Sequence, residues 1–398
     1  MKAGFSFPLS ASLLVCLLSG CTATSDPTRT TLDSADKLAS EQKAPDGLKP
    51  YYQRLYWEGE TGATLNRMRL ASAAIEQKLW EDAEHALDDV IRDIETLGPA
   101  DPRSREALST FEAEDIKRFK GEPYERSMAY LLRGLLYLKN REWENARACF
   151  KSVQLQDATK NDPALRGNWA SATWLEGWCD WNLGETSAAQ ECWQRTAKLR
   201  KIPSPAPEDN TLIVALLGFG PTKIPTGNFG EQLSYRKGDS QSTQAQLKIG
   251  TSFVSLLFAE DIFDQAKSRG LRGMDVVNQG KAGTRAVTET VGDTLIYGGS
   301  GATIAGSTAG DKTATVAGLG AVAAGILTKS VASSIKPKAD TRSWDLLPAA
   351  ILLLPIHISP ADRNLEFQFL DPNGKIVAER KVEVRNDPQP QLILITQR

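Results

Sequence analysis

Between Leu65 and Thr196, apolar and small residues recur at the short steps of amphipathic helices. Leu70, Ala71, Ala74, Ile75, Trp80, Ala83, Leu87, Val90 and Ile94 keep this spacing in a first helix pair over Leu65–Leu97. Tyr130, Gly134, Tyr137, Trp143, Ala146, Phe150 and Val153 keep it in a second. Thr173, Gly177, Asp180, Ala189, Trp193 and Thr196 fall in the same frame in a third. In the last two pairs a glycine on the first helix lets the second approach, and a small and then a large residue on the second fill the groove.

Such pairs predict a tetratricopeptide-like helical domain over residues 49–201. The anchoring alanines Ala83, Ala146 and Ala189 lie 63 and 43 residues apart. A regular array would repeat every ~34 residues, so the repeat is degenerate. Insertions near Gly98–Lys120 and Leu155–Asn168 carry the turn formers Gly98-Pro99, Asp101-Pro102 and Asp162-Pro163.

The pattern then changes. Pro203, Pro205 and Pro207 make Ile202–Asn210 a stiff linker. Thr211–Leu217 is a β-like apolar run, Ala245–Phe258 reads as strands, and Asp261–Arg269 as a helix. Ala349–Ile358 is apolar, and Leu365–Phe369 alternates with period two. Asp371-Pro372-Asn373-Gly374 is a turn, followed by strands over Ile376–Val384 and Leu392–Ile395. Gly298, Ala302, Gly306, Gly310, Ala314 and Gly318 set small residues every four positions within a glycine-rich segment, 298–335. That segment reads as a close-packed hairpin, a self-association seam, a membrane insert or a mobile loop. The expected fold class is α+β: the helical repeat domain, then a mixed domain over 211–398 with this glycine-rich helical segment and a small antiparallel β-sheet.

Charge narrows the partners. The 398 residues carry 47 Lys+Arg and 49 Asp+Glu, a net charge of -2, which argues against nucleic acid.

The N-terminus sets the compartment. Lys2, the short apolar run Phe5–Leu18 and Ser19-Gly20-Cys21 form a signal peptide over 1–20 that resembles a bacterial lipobox. The expectation is lipidation of Cys21, with an ordinary secretory signal and a free Cys21 as the alternative. Thr22 at the next position favours the outer membrane over retention at the inner one. Residues 21–48, rich in Thr, Ser, Asp, Ala and Lys, read as a flexible tether.

Candidate chemistry is sparse. Cys149, Cys179 and Cys192 remain after processing, as buried free thiols or with Cys179 and Cys192 bridged. His85 and His357 are the only histidines, and no zinc spacing exists, so no metal and no cofactor is expected. No nucleophile–base pair is visible and no catalytic residue is assigned. Trp174, Trp178 and Trp181 step by four and three along one helix face. They form either a partner-binding wall or a packing face. Glu122 and Arg126 at the start of the central pair are the charged partner-binding candidates, against a helix start whose charges pair locally. Asp340 and Arg342 brace a junction or act as a pair.

Three stretches carry a family likeness. They are Phe119–Arg126 with the following Tyr130–Leu138 and Asn145–Phe150, then Gly218–Lys223, then Ala339–Pro348. With the lipobox, they make the chain resemble a family of uncharacterised bacterial lipoproteins that join tetratricopeptide-like helices to a distinct C-terminal region. The glycine-rich segment departs from that family. The resemblance implies architecture and location, and no catalytic motif.

The sequence therefore predicts a lipid-anchored envelope protein, facing the periplasm from the outer membrane. Its expected work is to scaffold or assemble an envelope protein complex. Self-assembly into a homo-oligomer through the glycine-rich segment is the alternative. Cell-wall or polysaccharide enzymology is a third reading with only location behind it.

Overall fold

The computed structural model describes residues 28–96, 118–158, 168–267, 339–359, 364–384 and 389–398, together with Asp26 and Thr290. The signal peptide, Cys21 and the glycine-rich segment lie outside the described residues, as does most of both insertions.

The fold is α+β, helical in its N-terminal half and sheet-rich after residue 210. The helices are α1 (Leu32–Glu41), α2 (Lys49–Glu58), α3 (Ala63–Glu76), α4 (Trp80–Thr96), α5 (Pro123–Lys139), α6 (Trp143–Ala158), α7 (Ala170–Asn182) and α8 (Thr186–Leu199). Helices α3–α4, α5–α6 and α7–α8 form hairpins whose turns are alike. Each turn is three residues: Gln77–Leu79, Asn140–Glu142 and Leu183–Glu185. The N–H groups of Leu79, Glu142 and Glu185 donate to the carbonyls of Ala74, Tyr137 and Asp180 at 2.9, 2.9 and 2.8 Å. This closes the last turn of the first helix in each hairpin. The middle residue is left-handed every time: Lys78 (φ 60), Arg141 (φ 63) and Gly184 (φ 81). The alanines Ala83, Ala146 and Ala189 are fully buried one turn later.

The small residues do the work their spacing implies. A Cβ on Gly134 would lie 2.6 Å from the Phe150 ring. One on Gly177 would lie 2.7 Å from Trp193 Nε1 and 3.1 Å from the Ala189 carbonyl oxygen. In the first hairpin Ala71 and Leu87 stand at the corresponding positions relative to the turn, and both are fully buried.

The reading of 21–48 as a tether is corrected over its second half. Thr31 caps α1, its side chain accepting from the Ser34 N–H at 3.2 Å. Ala35 and Ala39 bury one face of α1. Small residues four apart give a helix a flat face that packs closely without large side chains.

Sheet A has strand order β10-β1-β7-β6, from β1 (Thr211–Leu217), β6 (Leu257–Asp261), β7 (Ala350–Ile356) and β10 (Gln391–Gln397). It is mixed: β1 runs parallel to β10 and antiparallel to β7. Sheet C is antiparallel, order β5-β4-β8-β9, from β4 (Gln244–Ile249), β5 (Ser252–Ser255), β8 (Asn364–Leu370) and β9 (Ile376–Glu383). A hairpin of β2 (Thr222–Thr226) and β3 (Gln232–Arg236) and a short helix α9 (Ile262–Lys267) complete the described elements. The expected small antiparallel sheet is thus two four-stranded sheets and a hairpin, because β1 pairs in parallel with a strand 180 positions away.

Alternation explains the layering. Ile213, Ala215 and Leu217 of β1 face sheet C, against Leu247, Phe367 and Phe369. Leu212, Val214 and Leu216 face the helices and share one apolar core with them. Sheet A is the middle of three layers. Consequently α3, α5 and α7 are covered on both sides: every residue of Ala63–Ile75 except Arg67, of Tyr124–Leu136 except Arg126, and of Ala170–Asp180 is buried.

Candidate functional site

Three stretches distant in the chain, Phe119–Arg126, Gly218–Lys223 and Ala339–Pro348, meet at one place. Glu125, on the first turn of α5, and Lys223, on β2, form an ion pair of 2.6 Å with both side chains shut off from solvent. The Glu125 carboxylate also accepts from the backbone N–H of Glu122 (2.7 Å) and of Trp344 (3.0 Å). Lys223 Nζ also donates to the Arg342 carbonyl (2.8 Å) and lies 5.0 Å from the centre of the Phe119 ring. A buried pair is tolerable only when its remaining valences are bonded in this way.

Around it, each first helix of a hairpin grips the C-terminal half. From α3, Ser72 Oγ accepts from Trp344 Nε1 at 2.9 Å, and Arg69 donates to Asp345 (2.7 Å) and to the Ser343 carbonyl (3.1 Å). From α7, Ser171 donates through its N–H and its hydroxyl to Glu260 at 3.2 and 3.1 Å. Glu260 is fully buried and also accepts from Gln265 Nε2 at 2.9 Å. Desolvation pushes its carboxyl up to about 7 despite those bonds. Arg342 pairs with Asp340 at 2.8 Å and reaches the Thr61 carbonyl, so this pair braces the junction.

The sequence-derived partner-binding residues do not form one surface. Trp174 and Trp178 are fully buried and stacked at 5.8 Å, so they cannot wall an open groove. Trp174 Nε1 donates to the Pro203 carbonyl (2.9 Å), which seats the proline-rich linker against the helices. Trp181 alone of the three reaches a groove, about 460 Å³, shared with Trp193 and Pro203–Pro207. Glu122 caps α5. Arg126 is held within the helical layer, donating to Gln156 (2.9 Å) and to the Gly121 carbonyl (2.8 Å). The physical reason is packing within the helical half: Trp174 and Trp178 are sealed by each other and by Trp193 and Trp181, and Glu122 and Arg126 are held by bonds to Glu125, Gly121 and Gln156.

Cys149, Cys179 and Cys192 are free and buried. Burial pushes the thiols up, to about 12 at Cys149 and about 11 at Cys192, so none is a ready nucleophile. Glu176, Asp180 and Cys192 set three metal-capable atoms within 4.8 Å of one another. Cations of the protein already serve them: Arg147 on Asp180 (3.0 Å), and Arg195 on Glu176 (3.6 Å) and on the Cys192 sulfur (3.0 Å). That set fits an internal ion network better than a metal. His357 donates through Nδ1 to the Glu208 carbonyl at 2.7 Å, and His85 is exposed on α4.

A second opening, about 440 Å³, lies where the turns of the first two hairpins face β9 and β10. No helix among the described residues is long and apolar enough to cross a membrane. Neither the models of known protein families nor the curated proteins give a match to this chain.

Proposed function

We propose that this protein is a lipid-anchored bacterial envelope protein, lipidated at Cys21, that scaffolds or assembles a protein complex through tetratricopeptide-like helix hairpins. The observation that carries the reading is the threefold turn, with its left-handed middle residue and its buried alanine one turn on. Lys43, in the longer link after α1, repeats the left-handed residue alone (φ 54), 35 positions before Lys78 and close to the ~34 of a regular array. Repeated helix pairs are binding architecture, and burial raises the thiols of Cys149 and Cys192 in their interior, which keeps them protonated. The inner faces of the first helices are taken up by sheet A, so a partner meets the outer faces of α4, α6 and α8 or the openings beside the sheet.

The test uses the full chain in a two-membrane bacterium. The parent stays with outer membranes through a carbonate wash and co-purifies with a reproducible envelope complex. Cys21→Ala moves to the soluble fraction. A parent that washes off, or that purifies with no envelope protein, refutes the reading.

A further inference from the structure

We propose that the end of the helical half where the chain enters the fold rests on the bilayer surface, with Trp57 and Leu32 set among the lipid headgroups. The inference rests on the anchor reading and deepens it by saying which face the anchor holds against the membrane.

The described fold begins close to Cys21. Asp26 Oδ2 accepts from the Thr61 N–H at 2.8 Å, and its Oδ1 from the Thr28 N–H at 2.9 Å. Thr28 Oγ1 accepts in turn from the Glu60 N–H at 2.8 Å. Thr30 donates through its N–H and its hydroxyl to the Tyr56 carbonyl, at 3.3 and 3.2 Å, and Arg29 Nε donates to the Trp57 carbonyl at 3.4 Å. Tyr56 and Trp57 lie in the last turn of α2, where carbonyls lack partners within the helix, so the entering chain supplies their donors. Gly59 (φ 70) permits the close approach. A Cβ there would lie 2.7 Å from Thr28 Oγ1 and 2.8 Å from Asp26 Oδ2. Asp26 and Thr28–Thr31 are thus part of the body of the helical half.

Reach follows by counting. Only residues 22–25 separate Cys21 from Asp26. The five Cα–Cα steps between them span at most ~18 Å. A globular chain of this length has a radius of gyration of roughly 21 Å, so a fold turned over would lift Asp26 far beyond that reach. A lipid on Cys21 therefore holds this face toward the bilayer.

The face carries side chains that suit an interface. Trp57 is 41% exposed, and it is the only exposed one of the nine tryptophans. Leu32, two residues past Thr30, is 60% exposed in the first turn of α1. Tryptophan settles at the headgroup level because its ring is apolar and its indole N–H is polar. Two side chains are too few to capture a free domain from solution. The short tether makes up the difference by keeping them at the surface.

The test uses the chain from Cys21 onward, which holds every described element. It is coupled through the Cys21 thiol to a maleimide lipid in protein-free phosphatidylcholine vesicles. Cys149, Cys179 and Cys192 are buried, so Cys21 is the thiol that couples. The vesicle lipids carry bromine near the glycerol end of their chains, which quenches tryptophan on contact. Emission is compared with that in unbrominated vesicles. The parent is expected to lose emission, and Trp57→Phe to lose none. A long Gly/Ser spacer inserted between Ser25 and Asp26 should reduce the loss. Trp57 is exposed and the spacer precedes the contacts of Asp26, so both variants should keep the parent's melting temperature. No quench in the parent, or an equal quench in folded Trp57→Phe, overturns the proposal. A quench that the spacer leaves unchanged overturns the part given to the tether. The coupling is chemical, so these failures count against the face alone. Failure of the anchor reading is read separately, as a parent that the carbonate wash strips from cell membranes.

Discussion

Replacing Glu260 by glutamine should change how stability depends on pH. Glu260, on β6, faces the start of α7, fully buried and bonded to Ser171 and Gln265. Its carboxyl rises from 4.5 to about 7, with desolvation the largest cause. A carboxyl raised on folding binds its proton more tightly in the native state, so the native state is favoured at low pH. That contribution is fully present below 4.5 and is lost as pH climbs through about 7. The displacement corresponds to roughly 3 kcal/mol across that window. Glutamine keeps an oxygen for Ser171 and carries no charge, so the variant should lack this dependence. Urea unfolding of parent and Glu260→Gln, at a series of pH values from below 4.5 to above 7, gives the test. Taking the difference between the two cancels the other carboxylates. The variant should gain on the parent by about 3 kcal/mol, accruing steadily as pH rises from 4.5 to about 7 and levelling off above that. A difference that stays flat with pH would show that Glu260 is not held in a desolvated, proton-seeking site, and the account of the α7–β6 contact would fail.

Further expectations concern the same junctions. Lys223→Met leaves the Glu125 carboxylate buried without its cation and should cost about 3–5 kcal/mol in chemical denaturation. The double variant with Glu125→Gln should recover part of that loss, and strict additivity would argue against the pair. Gly177→Ala forces a Cβ against Trp193 and the Ala189 carbonyl and should cost about 1–3 kcal/mol by the same assay. Cys149, Cys179 and Cys192 should resist a thiol reagent in the native protein and all react in denaturant. Fast labelling of any of them in the native state would contradict their burial.

Periodicity carried most of the secondary structure. The hairpins around Gly134 and Gly177 follow from small and large residues at helical steps, and β8 from the strict alternation of Leu365–Phe369. The turn at Asp371–Gly374 is closed as its residues imply, with the Gly374 N–H donating to the Asp371 carbonyl at 3.0 Å. What was not legible is long-range. Glu125 reads as an ordinary first-turn acid, because a charge that favours a helix start looks the same whether it faces water or Lys223, 98 positions later. Trp178 and Trp181 share a helix face, yet only the fold decides that one ring is sealed and the other meets a groove. The covering of α3, α5 and α7 depends on sheet A, whose order no local pattern specifies. One local signal was readable and passed over: Thr31 three residues before Ser34, with Ala35 and Ala39 four apart, marks the start and the face of α1.

The parallel pairing of β1 with β10 has a consequence for how the molecule is made. Thr211–Leu217 is apolar after its first residue and wholly buried, yet its two neighbours lie far downstream in the chain. As the polypeptide emerges, this segment waits through well over a hundred residues before either neighbour arrives, a high-contact-order arrangement that folds slowly. A chain carried across a membrane unfolded would expose a short, uncharged, aggregation-prone run for that whole interval. Sheet A stays incomplete, and Thr211–Leu217 without either backbone partner, until β7 and β10 have both been made.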